Sequence, residues 1–244
     1  LMNAFNQSIL IIMCAAFFLF PNLAIADPSF VVDPVGQATT SSCQSYVLAL
    51  SLAFKRDAAF SALNWSQLRT AETKIRKAIV DAFNNRMPSA TKINPSHDDV
   101  RTGFEKYTSG LYTLKIRDVD IQGLSDLVGS RTGVTTANAV PQNFLLGAVV
   151  KDVVMSSARK IGNDTYEQGH IFTILGMDGP MSSSRKFLIL NSAVKKPDST
   201  RNACTEELPD DPGPYSASLS WHSLGDLDLK TFGDKFKVWV IEKN

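Results

Sequence analysis

The chain has 244 residues, of which 44% are hydrophobic and 20% are charged, and its formal net charge is +1. This length suits one large domain or two small lobes, and the composition excludes a disordered chain. A net charge close to zero creates no strong field toward nucleic acid or an anionic membrane surface, so we expect neither as a partner.

The N-terminal segment predicts a signal peptide over residues 1–26. Residues 9–20 are an unbroken run of 12 apolar residues, and residues 24–26 provide an Ala-Ile-Ala cleavage pattern. The run is shorter than the roughly 20 residues that a membrane-spanning helix needs. An uncleaved N-terminal anchor is the alternative. We expect a secreted or periplasmic mature chain, residues 27–244, with no stable membrane association after cleavage.

The first half of the mature chain predicts helices. Residues 27–42 are rich in Pro, Gly, Thr and Ser and predict an extended leading segment. Apolar content and spacing then predict four helices, over residues 44–54, 66–85, 96–107 and 121–128. In the second of these helices, Glu72 is predicted on the polar face, four residues before Arg76.

The second half predicts strands. Runs rich in Val, Ile, Leu and Phe occur at residues 144–155, 169–177, 187–190 and 236–241. Residues 194–215 contain four prolines and many charges and predict a surface loop. Helices followed by strands predict an α+β protein with a helical lobe, about residues 40–130, and a sheet lobe, about residues 140–244. We expect a functional site in the cleft between the two lobes.

Cysteine usage points to a reactive thiol. Removal of the signal peptide leaves Cys43 and Cys204, so either they pair or at least one is kept for reactivity. Cys43 directly precedes the first predicted helix, and a thiol at a helix N-terminus is shifted toward the nucleophilic thiolate. The alternative interpretation of Cys43 is a small buried apolar residue. Cys204 lies in the predicted surface loop, where a free thiol, a disulfide-linked dimer and no role at all are each compatible with the sequence.

A cysteine nucleophile usually needs a histidine as base, and the chain has three histidines. His97 lies in an acidic helical turn, and His222 lies in a loop-like region. His170 follows Gly169 and opens an apolar strand, a position from which its ring can face a cleft. The next predicted strand ends at Asn191, whose side-chain amide can accept the ring N–H of a histidine and fix its orientation.

A glutamine completes the constellation. Gln37 lies six residues before Cys43, and its amide could stabilise an oxyanion together with the Cys43 backbone N–H. His170 follows Cys43 by 127 residues, and Asn191 follows it by 148. This order of Gln-x5-Cys, helix, Gly-His and Asn-Ser resembles the papain family of cysteine peptidases over nearly the whole mature chain.

The resemblance implies a papain-like two-lobed fold, with an N-terminal helical lobe and a C-terminal lobe built on an antiparallel β-sheet or barrel. It implies a secreted cysteine protease that cleaves peptide bonds. The resemblance further implies that Cys43 is the nucleophile, that His170 is the base, that Asn191 is the third member of the triad and that Gln37 is the oxyanion donor. The expected partner is a protein or peptide substrate, and no cofactor is expected. We expect no metal site, because the histidines are scattered and no Cys-x-x-Cys occurs.

The chain departs from the family pattern in ways that resemble divergent bacterial members, including effectors. Ser41 replaces a glycine and Gln44 a tryptophan beside the nucleophile. Ala193 stands where the family has a tryptophan that shields the Asn–His bond, so we expect a wetter triad. No long pro-segment separates residue 26 from Cys43, so rapid export or an inhibitor or immunity protein could restrain the activity.

Two other classes of function stay open. Glutamine deamidases, transglutaminase-like toxins and peptidoglycan amidases also attack an amide through a cysteine thioester. A catalytically dead papain-like shell would instead be a binding module. The alkylation rate of Cys43 separates an enzyme from a binding module, because only an activated thiolate reacts rapidly.

Overall fold

A computed structural model of the chain describes residues 36–39, 42–55, 57, 59–60, 65–128, 154–178, 185–195, 215–229, 231–232 and 235–244. Within these residues the chain forms four α-helices and an eight-stranded antiparallel sheet, so the predicted α+β class is confirmed. The predicted signal peptide and Cys204 lie outside the described residues.

Helices lie in the N-terminal half of the described chain, at the positions that apolar periodicity predicted. Their bounds are α1 Cys43–Lys55, α2 Trp65–Arg86, α3 His97–Tyr107 and α4 Ile121–Val128. Ser96 precedes α3 and forms a capping box with Asp99, in which each side chain accepts the backbone N–H of the other residue. The Arg86 guanidinium at the end of α2 binds Asp99 at 2.6 Å and joins the two helices.

Strands follow the helices, with one exception. Their bounds are β1 Tyr112–Val119, β2 Val154–Ile161, β3 Asp164–Asp178, β4 Lys186–Lys195, β5 Tyr215–Ser223, β6 Leu227–Leu229, β7 Thr231–Phe232 and β8 Lys235–Lys243. The predicted strands at 169–177, 187–190 and 236–241 are confirmed as parts of β3, β4 and β8. The ends of the predicted loop 194–215 belong to β4 and β5, and its middle lies outside the described residues.

The sheet is open, and its strand order is β1-β8-β2-β3-β4-β5. β6 pairs with β2 and β7 pairs with β8 outside this path. β1 lies within the range predicted for the helical lobe, yet it pairs along its full length with β8, from Tyr112 opposite Lys243 to Val119 opposite Phe236. The C-terminal strand therefore ties the helical half of the chain into the sheet.

The sheet separates two apolar clusters, because successive side chains of a strand point to opposite faces. One face packs against α1, α2 and α3 and includes Ile171 and Leu175 of β3. The other face packs against α4 and includes Phe172 and Ile174 of the same strand. We call these clusters the helix-side core and the α4-side core, respectively. His170, two residues before Phe172, belongs on the α4 side.

Candidate active site

His170 projects from β3 toward the α4-side core. Its strand partner on β2 is Ala158, a member of that core, and directly opposed residues on neighbouring strands share a face. The His170 side chain is fully buried. Gly169 before it has a φ of 84°, a left-handed conformation that glycine adopts without strain. The glycine therefore permits the backbone path that delivers His170 to this face.

Asn191 contacts the imidazole of His170 directly. The ladder between β3 and β4 pairs Thr173 with Leu190, so extension of this register by one residue places Asn191 opposite Phe172, on the face from which His170 projects. The Asn191 Oδ1 lies 2.9 Å from Nε2 of His170. Both side chains are buried, so their hydrogen bond is formed away from bulk water.

The partners of Asn191 define the tautomer of His170. The backbone N–H of Ala193 donates to Asn191 Oδ1 at 3.0 Å. A backbone N–H can only donate and an amide oxygen can only accept, so Nε2 of His170 carries the hydrogen of the ring–amide bond. In the neutral ring the other nitrogen, Nδ1, is then the proton acceptor. The geometry thus leaves Nδ1 as the basic nitrogen of this histidine.

Tyr166 covers the His170–Asn191 pair, a contact that the sequence did not predict. Its ring stacks on the imidazole with centroids 4.6 Å apart and an interplanar angle of 26°. The Asn191 Nδ2 donates to the Tyr166 hydroxyl at 2.8 Å. The expectation of a wetter triad at Ala193 is therefore wrong, because a tyrosine from β3 covers the ring and both partners are buried.

Gln37 is held against the residue that follows Asn191. The Gln37 backbone N–H donates to the Ser192 carbonyl at 2.8 Å, and the Ser192 hydroxyl donates to Gln37 Oε1 at 2.9 Å. The Gln37 Nε2 donates to the Thr39 carbonyl at 2.8 Å. These bonds fix the plane of the amide at both ends.

Cys43 is the first residue of α1 and a reduced thiol, 6% exposed. The apolar residues further along α1, such as Val47 and Leu50, belong to the helix-side core. Cys43 instead belongs to the α4-side core, together with Tyr166 and with Ala158, the strand partner of His170. The thiol at the helix N-terminus therefore lies on the side of the sheet from which the imidazole projects.

A buried carboxylate, that of Glu72, supports described residues that precede α1. Glu72 accepts the Ala38 N–H, the Ser42 hydroxyl and the Arg69 guanidinium, each at 2.7 Å. Arg69 also donates to the Gly36 carbonyl. Burial raises the pKa of Glu72, while Arg69 and the other two donors act in the opposite direction. The prediction that Glu72 lies on the polar face of its helix is wrong, because the side chain is buried against Ala38 and Ser42.

The other two histidines lie elsewhere. The His97 ring packs edge-on against Trp239, with centroids 5.1 Å apart. His222 lies on β5, where Nε2 is 2.7 Å from the Ser220 hydroxyl. Burial lowers the pKa of His222, with Asp226 acting in the opposite direction. The structure thus brings together Gln37, Asn191 and His170, whereas His97 contacts Trp239 and His222 contacts Ser220.

In the residues that the structure describes, no group of three or more His, Cys, Asp or Glu side chains is arranged to hold a metal ion. Of the helices described, none combines the length and apolar character that a membrane crossing requires.

No family model matches the chain, and no curated protein or solved structure is significantly similar to it. The geometry of the site and the order of its residues along the chain are therefore the basis for a functional assignment.

Proposed function

We propose that the protein is a cysteine protease of the papain type, with Cys43 as nucleophile and His170 as base. The observation that carries the proposal is the 2.9 Å bond between His170 Nε2 and Asn191 Oδ1. This bond reserves Nδ1 for proton transfer, and Cys43 lies on the same side of the sheet. A thiol and an imidazole oriented by a third group are the components that nucleophilic catalysis needs.

The reaction begins when the Cys43 thiol transfers its proton to Nδ1 of His170. The positive end of the α1 dipole favours the resulting thiolate. The sulfur attacks the carbonyl carbon of a peptide bond, and the C=O electron pair moves onto the oxygen. The Cys43 backbone N–H and the Gln37 amide donate to this oxyanion, and one such donor is typically worth about 10²–10³ in rate.

The intermediate collapses as His170 returns the proton. Nδ1–H protonates the leaving amine nitrogen, the C–N bond breaks, and a thioester remains on Cys43. Water then attacks the thioester carbonyl while Nδ1 accepts its proton. The C–S bond breaks, and the carboxylic acid and the Cys43 thiol are released.

A peptide bond is the favoured substrate class within this chemistry. The order of Gln37, Cys43, His170 and the Asn191-Ser192 pair supports a peptidase in preference to a glutamine deamidase. Two hydrogen bonds between Gln37 and Ser192 hold the first of these residues in the chain against the last. The partner is accordingly a protein or peptide substrate, and an inhibitor protein is the proposed restraint on the active chain.

The proposal includes the papain-like two-lobed fold and export. Three helices, α1 to α3, pack on one face of the antiparallel sheet, and the thiol lies at the start of α1. Both observations support this fold. The apolar run at residues 9–20 and the Ala-Ile-Ala pattern at residues 24–26 support a secreted or periplasmic location. N-terminal sequencing of the exported chain should begin at Asp27.

Alkylation tests whether Cys43 is activated. Iodoacetamide should label Cys43 of the full chain near pH 6 at least tenfold faster than it labels free glutathione, an unactivated thiol. Peptide mapping by mass spectrometry identifies the labelled cysteine. Labelling at the glutathione rate would reject the activated thiolate and favour a binding module.

Treatment of a denatured proteome tests the reaction class. New chain termini after incubation with the wild-type protein, absent with Cys43→Ala, indicate proteolysis. Conversion of glutamine to glutamate without new termini would replace the protease by a deamidase. A Cys43→Ala variant that still cleaved peptides would remove Cys43 as the nucleophile.

A further inference from the structure

Tyr166 lies near the start of β3, where the pairing with β2 is irregular. Thr165 and His170 are five residues apart, whereas their partners on β2, at positions 160 and 158, are two apart. The additional residues of β3 form a bulge that includes Gly169, with its φ of 84°. Bulges re-aim side chains beside them. Tyr166 is one of the residues in this bulge, and its ring lies over the imidazole of His170.

The Tyr166 ring constrains His170 by stacking. The ring is 3% exposed, and its centroid lies 4.6 Å from that of the imidazole. A stacked ring limits rotation of the imidazole and keeps water from one of its faces.

The Tyr166 hydroxyl constrains Asn191. A phenol has one hydrogen, and Tyr166 donates it to the Ala193 carbonyl at 3.1 Å. The hydroxyl therefore accepts from Asn191 Nδ2, at 2.8 Å. This direction turns Nδ2 toward Tyr166 and Oδ1 toward His170. One side chain thus acts on both members of the pair, on the imidazole through its ring and on the amide through its oxygen.

We propose that Tyr166 is a positioning residue for the Cys43–His170 pair. It holds the imidazole plane and the Asn191 amide in the orientation that reserves Nδ1 for proton transfer. The inference rests on the proposed function for its kinetic consequence. Its effect on the ring N–H of His170 does not depend on turnover, so the two can be tested apart.

Tyr166→Phe keeps the stacked ring and removes the hydroxyl. We expect solvent exchange of the His170 Nε2–H, followed by proton NMR, to accelerate about tenfold, because Asn191 loses one of its anchors. With a peptide substrate, kcat should fall about fivefold to tenfold while KM stays unchanged, since ground-state binding is not altered. Tyr166→Leu also removes the ring, and kcat should fall about a hundredfold.

Tyr46→Phe is the matched control. Tyr46 is a buried tyrosine of α1 whose hydroxyl has no hydrogen-bond partner among the described residues. Its removal should change neither the exchange rate nor kcat, and circular dichroism should show all three variants folded. Wild-type exchange and kcat in Tyr166→Phe would overturn the positioning role and leave the protease proposal standing. If the wild-type protein cleaves no peptide and exchange of the His170 ring N–H is still faster in Tyr166→Phe, the positioning role is supported and the protease is rejected.

Discussion

The Ser192 hydroxyl donates to Oε1 of Gln37 at 2.9 Å, although the two residues lie 155 positions apart. Both are buried. The Gln37 backbone N–H also donates to the Ser192 carbonyl, at 2.8 Å. This pair couples the segment before α1 to the strand that carries Asn191. The proposed oxyanion donor and the group that orients the imidazole therefore share one support.

Ser192→Ala should reduce kcat about tenfold with little change in KM, because the Gln37 amide loses the partner of its oxygen. Gln37→Ala should cost more, about 10²–10³, because it removes the oxyanion donor itself. Steady-state kinetics on a peptide substrate measure both effects. If Ser192 acts by holding Gln37, the two substitutions together should cost little more than Gln37→Ala alone.

Ser51→Ala is the control for this pair. Ser51 is a buried serine of α1 whose hydroxyl donates to the Val47 carbonyl at 2.8 Å, within the helix. The variant should retain wild-type kcat. Independent, multiplicative losses from Ser192→Ala and Gln37→Ala would show that the serine does not act through the glutamine.

Asn191→Ala should lower kcat about a hundredfold, because the imidazole loses the acceptor that orients it for the proposed proton transfer at Nδ1. It should also reduce the free energy of unfolding by about 1–3 kcal/mol, since buried donors lose their acceptor. Asn191→Asp keeps an oxygen that accepts from the ring and should retain more activity. Urea unfolding and kinetics are measured on the same samples, and equal losses of kcat in both variants would contradict an orienting role.

The sequence could predict the candidate site because its members sit in short motifs at the ends of regular elements. Cys43 opens an apolar helix, and His170 opens an apolar run after a glycine. Asn191 ends an apolar run on the neighbouring strand. Local pattern was sufficient for these, since each element is recognised by its own apolar residues. The bond between His170 and Asn191 follows from their places on adjacent antiparallel strands.

The supports of the site could not be predicted in this way. Glu72 follows a helical pattern that marks an exposed face, and only its contacts with Ala38 and Ser42 make this side chain a buried one. The Gly169-His170 pair predicted a ring that can face a cleft, but it could not indicate that Tyr166 would lie over the imidazole. Such contacts depend on where a distant or irregular backbone segment comes to rest, which local periodicity does not encode.

The edge strands were missed for a related reason. β1 alternates apolar and charged residues from Leu114 to Arg117, the period-two pattern of a half-exposed strand. Its place in the sheet depends on β8, at the other end of the chain. β5 has the sequence YSASLSWHS, whose serines resemble a loop, and its half-buried side chains pair with β4. Burial on one side is enough to hold such a strand.

The Asp99 carboxylate should make the free energy of unfolding depend on pH in the acid range. Arg86 and the bonds to Ser96 lower the pKa of Asp99 from 3.8 to about 2. The Asp99 carboxylate therefore binds a proton more readily in the unfolded chain than in the folded one. Its contribution to the free energy of unfolding is present above about pH 4 and is lost as the pH falls toward 2. Asp99→Asn should flatten this part of the stability curve and reduce stability at neutral pH by about 1–2 kcal/mol, because the variant lacks the charge that Arg86 stabilises.

Thermal unfolding at a series of pH values and constant ionic strength measures this effect. Asp81→Asn is the control, because Asp81 pairs with Lys77 at 2.7 Å on the exposed side of α2. Exposed pairs of this kind contribute little to stability, so the control should follow the wild-type curve. An Asp99→Asn variant that still lost stability steeply between about pH 4 and pH 2 would assign the acid dependence to other carboxylates.

Glu72 should produce the opposite dependence on pH. Burial raises the pKa of Glu72 above its ordinary value of 4.5, although Arg69 opposes the shift. The Glu72 carboxylate therefore binds a proton more readily in the folded chain than in the unfolded one. Its contribution to the free energy of unfolding is fully present below pH 4.5 and is lost as the pH rises through the raised pKa. Glu72→Gln keeps an acceptor oxygen but cannot titrate. Urea unfolding above pH 4.5 should show a decline in the wild type that the variant lacks.

Glu72→Ala tests whether this carboxylate also supports the site. The substitution leaves three buried or half-buried donors without their shared acceptor, which should cost about 3 kcal/mol of stability. It should also lower kcat, because the segment that holds Gln37 loses its anchor. Glu242→Ala removes an exposed ion pair with Arg117 and should leave kcat at the wild-type value. A stable Glu72→Ala variant with wild-type kcat would show that the bonds to Ser192 place Gln37 without help from Glu72.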